Sequence, residues 1–132
     1  MKYFLDTNIC IYFLKGIYKN LQDKFSLINP NDIKIPSIVK AELLYGVEKS
    51  LKKKENRKLV NDFLLPFEVI PFDDDSSESY SKIRFILEKD GKIIRPNDLI
   101  IASIVQSNKG TLVTNNIKEF KRVKGLKVVN WI

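Results

Sequence analysis

Along the chain, short unbroken apolar runs take turns with longer stretches in which apolar residues recur at helical spacing. Tyr3-Phe4-Leu5 is an apolar run ending at Asp6, with Thr7 and Asn8 as caps for a helix over Ile9 to Leu14. Gly16 stops that helix, and a second amphipathic stretch, about Tyr18 to Ile28, closes on the turn cluster Asn29-Pro30-Asn31-Asp32. Ile33-Lys34-Ile35 reads as a strand. Ser37 then caps a helix carrying Val39, Leu43, Val47 and Leu51 at spacing four. A helix over about Glu55 to Leu65 stops before Pro66, and Phe67-Glu68-Val69-Ile70 is the third strand, closed by Pro71. Asp73-Asp74-Asp75 opens a long helix that runs to about Lys89 and ends at Asp90-Gly91. Pro96-Asn97 starts a further helix through Gln106. The remainder is a strand at Thr111-Leu112-Val113, a helical turn from Asn116 to Phe120, and a last strand at Lys127-Val128-Val129.

Strands separated by helices imply right-handed crossovers. The expected fold is α/β and three-layered, a central parallel sheet of four to five strands flanked by helices. With 132 residues the chain makes one domain, 1–132. That length buries roughly two-thirds of its unfolded surface. No apolar run reaches the roughly 18–20 residues of a membrane span, and Asp6 comes too early for a secretory signal. A cytoplasmic protein with no membrane partner is expected.

Charge and two absences narrow the chemistry. The chain has 23 Lys+Arg against 16 Asp+Glu, a formal charge of +7, which makes a polyanion the default partner. It contains no histidine, so imidazole general bases and His-ligated metals are excluded. A lone Cys10 makes neither an internal disulfide nor a multi-cysteine zinc site, and fits a reducing compartment. Catalysis must run on carboxylates, amides, hydroxyls or amines.

In a parallel α/β sheet the functional crevice lies outside the carboxyl ends of the strands. Asp6 follows the first strand, and Glu42 lies in the first two turns of the helix after the second. Asp98 is in the first turn of the Pro96 helix, and Thr114, Asn115 and Asn116 leave the Thr111 strand one turn before Glu119. All map to one end of the sheet. Asp6 alone reads equally as a cap, and Asp98 alone as a helix first-turn acid. Glu42, among Val39, Ala41, Leu43 and Leu44, is an acid in want of a partner. Clustered, half-buried carboxylates repel one another, and a hard cation such as Mg²⁺ relieves both the repulsion and the desolvation. Such an ion lowers the pKa of a bound water and offsets charge on a phosphoryl group.

The assembled motifs closely resemble the PIN-domain ribonucleases of the VapC toxin type. They are Phe4-Leu5-Asp6-Thr7-Asn8, Ser37 through Glu42 to Gly46, Pro96-Asn97-Asp98-Leu99-Ile100-Ile101-Ala102, and Leu112 to Asn116 with Glu119-Phe120. The ending from Val123 to Trp131 is similar too. The resemblance covers essentially the whole chain. It implies a PIN-like fold and an Mg²⁺- or Mn²⁺-dependent endoribonuclease in which Asp6, Glu42 and Asp98 are the central metal-binding acids. Many relatives carry a further acid two residues after the threonine. Here that position is Asn116, which leaves Glu119 to supply the charge, with Thr114, Asn116 and Asn8 as supporting polar groups. The resemblance also implies a homodimer held inactive by a cognate antitoxin.

Two basic runs stand beside this site in the sequence: Lys49 to Lys58, including Lys52, Lys53 and Arg57, and Lys118 to Lys124, including Lys121 and Arg122. Each reads either as an RNA grip or as a solvated face. Tyr12, Tyr45 and Phe120 read either as base-stacking platforms or as core. Two other function classes remain open. One is a receiver-like phosphoacceptor domain using Asp73, and the other a non-catalytic RNA-binding module.

Overall fold

In the computed structural model, which covers residues 1–132, five short strands form one sheet. They are β1 (Tyr3–Leu5), β2 (Ile33–Pro36), β3 (Glu68–Ile70), β4 (Thr111–Val113) and β5 (Lys127–Val129). Seven helices flank it: α1 (Thr7–Lys15), α2 (Lys19–Leu27), α3 (Ser37–Glu48), α4 (Lys53–Leu64), α5 (Asp74–Lys89), α6 (Pro96–Ser107) and α7 (Ile117–Phe120). Every strand pair is parallel, in the order β3-β2-β1-β4-β5. The expected α/β architecture is therefore present with all five strands.

That order creates a switch point. After β1 the chain builds outward through β2 and β3, then returns to add β4 on the other side. The helices leaving β1 and entering β4 diverge there and leave a crevice at the carboxyl ends. Tyr3 pairs with Thr111 and Leu5 with Val113, so Asp6 and Thr114 leave the sheet side by side. The Asp6 N–H still donates to the Val113 carbonyl at 3.1 Å. A receiver-like sheet runs 2-1-3-4-5 instead. Asp73 is also committed elsewhere, because it caps α5 by accepting from the Ser76 N–H and hydroxyl at 2.9 and 3.0 Å. The phosphoacceptor reading is thereby overturned.

Central strands are covered on both faces, which is why they read as continuous apolar runs rather than alternating ones. Phe4, Leu5, Ile33, Ile35, Leu112 and Val113 are all fully buried. Helix α6 is apolar nearly all round, with Leu99, Ile101, Ala102, Ile104 and Val105 buried, as suits a helix between the sheet and α5. Its buried Ser103 hydroxyl donates to the Leu99 carbonyl at 2.6 Å, which satisfies that group. Gly110 turns α6 into β4 against the core: a Cβ there would run into the ring of Phe4.

Three local expectations change. Of the caps offered for α1 the structure uses Asp6, the cap reading already open to it, and not Thr7 or Asn8: its carboxylate accepts the Ile9 N–H at 2.9 Å. Ser37 is the first residue of α3, and Pro36 occupies the cap position without a side-chain bond. Helix α3 ends at Glu48, short of Leu51, which is fully exposed. Ser50 closes it, its N–H and hydroxyl both going to the Val47 carbonyl. No helix is long and apolar enough to cross a membrane.

Candidate active site

The site grows from the β1–β4 junction. Asp6 is 6% exposed at the end of β1. One carboxylate oxygen is taken by the Ile9 N–H, and the other accepts the hydroxyl of the fully buried Thr114 at 2.5 Å. Burial raises the Asp6 pKa above the ordinary carboxylate value and the Glu42 charge adds to this, while the bonds from Thr114 and Ile9 pull it down. Thr114 is oriented in turn, because its oxygen accepts the Asn116 N–H at 2.9 Å.

Glu42 projects from α3, one turn past its start. Thr7 donates its hydroxyl to one carboxylate oxygen at 2.5 Å, and Asn97 donates its amide to the other at 3.3 Å. Residues of α1 and α6 thus aim an acid carried by α3. Neither contact was legible in the sequence, where the partners stand far apart and both look like helix-start residues.

Asp98 and Glu119 form a second pair. Asp98 lies in the first turn of α6, and Glu119 in α7 just beyond β4. Their side chains are 21% and 16% exposed. The two carboxyls stand close enough for each to shift the other's ionisation. Burial first and Glu119 second push Asp98 up to about 7. Glu119 is lowered by the Asp98 bond, the Arg95 N–H at 3.4 Å and the Asn116 amide at 3.2 Å. The Arg95 guanidinium lies 3.7 Å from Asp98 and 3.6 Å from Glu119. Sequence reading did not single out Arg95. The only available signal was its position three residues before Asp98.

The structure thus brings Asp6, Glu42, Asp98 and Glu119 to one end of the sheet, with Thr114 and Asn116 bonded into the cluster. Asn8 is exposed on α1, and its side chain bonds to none of the acids. Phe120 is 1% exposed and belongs to the core, which removes it as a stacking platform. Tyr45 is exposed beneath the Lys49 ammonium, and Tyr12 packs edge-on to Tyr18. Lys52, Lys53 and Arg57 are exposed on and just before α4, as are Lys121 and Arg122 after α7.

The donor set suits a hard divalent cation. It is all oxygen and carries four carboxyls against one exposed guanidinium. No three acids converge on one point as a closed cage. Mg²⁺ does not require one, since it keeps several waters and takes one or two carboxylates.

An all-parallel sheet in this order, with carboxylates and no imidazole at its switch point, defines a PIN-like fold with an acid-lined crevice. Comparison with known proteins agrees. The PIN domain family model matches residues 3–126. The chain is 47% identical to Ribonuclease VapC2 of Rickettsia felis, over 99% of this chain and 98% of that one. It is 35% identical to the tRNA(fMet)-specific endonuclease VapC of Salmonella typhimurium, again over 99% and 98%. Among solved structures, VapBC2 from Rickettsia felis bound to a promoter DNA fragment superposes with a TM-score of 0.94 at 44% identity, covering both chains completely. The chain belongs to the PIN-domain family, among the VapC ribonuclease toxins of VapBC toxin–antitoxin systems.

Proposed function

We propose that this chain is an Mg²⁺- or Mn²⁺-dependent endoribonuclease toxin whose ion would be held, directly or through water, by Asp6, Glu42 and Asp98, with Glu119 and Asn116 completing the site. The observation that carries the reading is the gathering of four carboxyls, Asp6, Glu42, Asp98 and Glu119, at one end of the sheet with the single exposed guanidinium of Arg95 against them. When bound there, a divalent ion supplies a lowered pKa for water and positive charge against the phosphoryl group.

This chain's residues supply the rest. Thr114 and the Ile9 N–H hold both oxygens of Asp6, so its carboxylate does not rotate. Thr7 and Asn97 fix Glu42 in the same way, and Asn116 fixes Glu119. The exposed runs holding Lys52, Lys53 and Arg57, and Lys121 and Arg122, draw in the RNA backbone. The Salmonella relative's name makes a transfer RNA the substrate class to try first.

The assembly includes a cognate antitoxin and a second copy of the chain. An apolar groove between α1, α3 and α4, lined by Ile11, Leu14, Leu43, Val47 and Leu59, runs up to Glu42. An antitoxin segment seated in it reaches the acids.

The test is purified protein incubated with transfer RNA, with Mg²⁺ or with EDTA, followed by mapping of the cut ends. Cleavage confined to the Mg²⁺ arm, leaving 5′-phosphate and 3′-hydroxyl ends, is expected. Cyclic 2′,3′-phosphate ends that persist in EDTA would sink the proposal.

A further inference from the structure

Arg95 is the only basic residue that pairs with a site carboxylate. Its backbone is tied down: Pro96 begins α6 behind it, and its own N–H goes to Glu119 at 3.4 Å. Its side chain is not. The side chain is 73% exposed, and its Nε approaches the acids at 3.6 and 3.7 Å. Single, long, solvent-facing contacts of this kind hold a side chain weakly. A guanidinium presents five N–H donors in a planar fork that matches a phosphate, and the two contacts leave most of that fork free.

Two charges compete for the same place. A divalent cation taken up by Asp98 and Glu119 neutralises the acids that now attract Arg95, and repels its guanidinium. The released side chain is rooted at the rim of the crevice by its backbone bond to Glu119. From there it meets the next anion to arrive. We infer that Arg95 is a substrate-positioning residue: it stands in as counter-ion while the acids are without metal, then turns to grip an RNA backbone phosphate next to the scissile one. The inference rests on the metal-dependent nuclease reading and adds a residue and an order of events to it.

Arg95→Ala tests both halves of the exchange. Titration calorimetry of RNA-free protein reads Mg²⁺ affinity, which should tighten about threefold once the competing cation is gone. Steady-state cleavage should show KM for RNA raised about tenfold, the loss of one charge-assisted phosphate contact. The slope of log affinity against log salt should fall by about 0.7 to 1. Arg95→Lys, which keeps a point charge but not the fork, should restore the salt slope and part of the KM. A residue that merely braced the fold would leave the slope unmoved.

Unchanged KM and slope in Arg95→Ala overturn the proposal, as does unaltered or weakened Mg²⁺ binding. The two readings fail distinguishably. If the unaltered chain neither binds Mg²⁺ nor cuts RNA, the nuclease reading falls and takes this inference with it. If it does both and Arg95→Ala behaves like it, only the inference falls.

Discussion

Asp98 shows most sharply what the site costs the fold. Burial and the neighbouring Glu119 push its pKa up to about 7, so at neutral pH a half-buried charge is held against its preference. Asp98→Asn keeps the shape and removes the charge. Its melting temperature without metal should rise by about 3 °C, while cleavage drops about a hundredfold or more. Mg²⁺ should then raise the Tm of the unaltered protein more than that of the variant. Thermal scans with and without Mg²⁺, paired with a cleavage assay, check this; undiminished turnover would remove Asp98 from the site. The acids themselves were legible, because a carboxylate beside Leu99 or Leu43 stands out in an apolar stretch. Their partners were not. Thr7, Asn97 and Arg95 acquire their roles from contacts 35, 55 and 24 residues away along the chain, and no local pattern encodes those.

At the scale of elements, the β1–β4 junction does the positioning, and its tolerance is small. The ring of Phe4 occupies the space that a side chain at position 110 would need. Gly110→Ala should therefore destabilise the fold by about 2 kcal/mol, the usual cost of overpacking a filled core. A urea denaturation midpoint measures it, and a variant as stable as the parent would mean that Phe4 can yield. Strand positions were readable to the residue at Thr111–Val113 and Lys127–Val129, where apolar runs are bounded by glycine or polar residues. Helix ends were harder. The spacing-four pattern continues to Leu51, but Ser50 ends α3 by bonding the Val47 carbonyl, a local backbone competition that hydrophobic periodicity does not register. Sheet order was likewise unreadable from the strands one by one. It is set by which faces pack, and it alone puts Asp6 beside Thr114.

Over the whole molecule, a charge of +7 surrounds a crevice of carboxylates. If the basic runs hold RNA, Lys121→Ala with Arg122→Ala should flatten the salt dependence of RNA affinity by about 0.7 per residue. Filter binding at graded salt measures that slope. An unchanged slope assigns this run to solvation, and the same comparison at Lys52, Lys53 and Arg57 settles the other. The bond from Thr114 to Asp6 spans 108 residues. Closing so long a loop in an all-parallel sheet is slow, and it comes late in folding. Ribosomes deliver a chain at roughly 5–20 residues per second, and Asp6 emerges well ahead of the strand that must lie beside it. A growing chain therefore carries its acids apart. If these acids are the cutting site, it comes into being only once nearly the whole message has been read, which leaves an interval in which an inhibitor can be waiting.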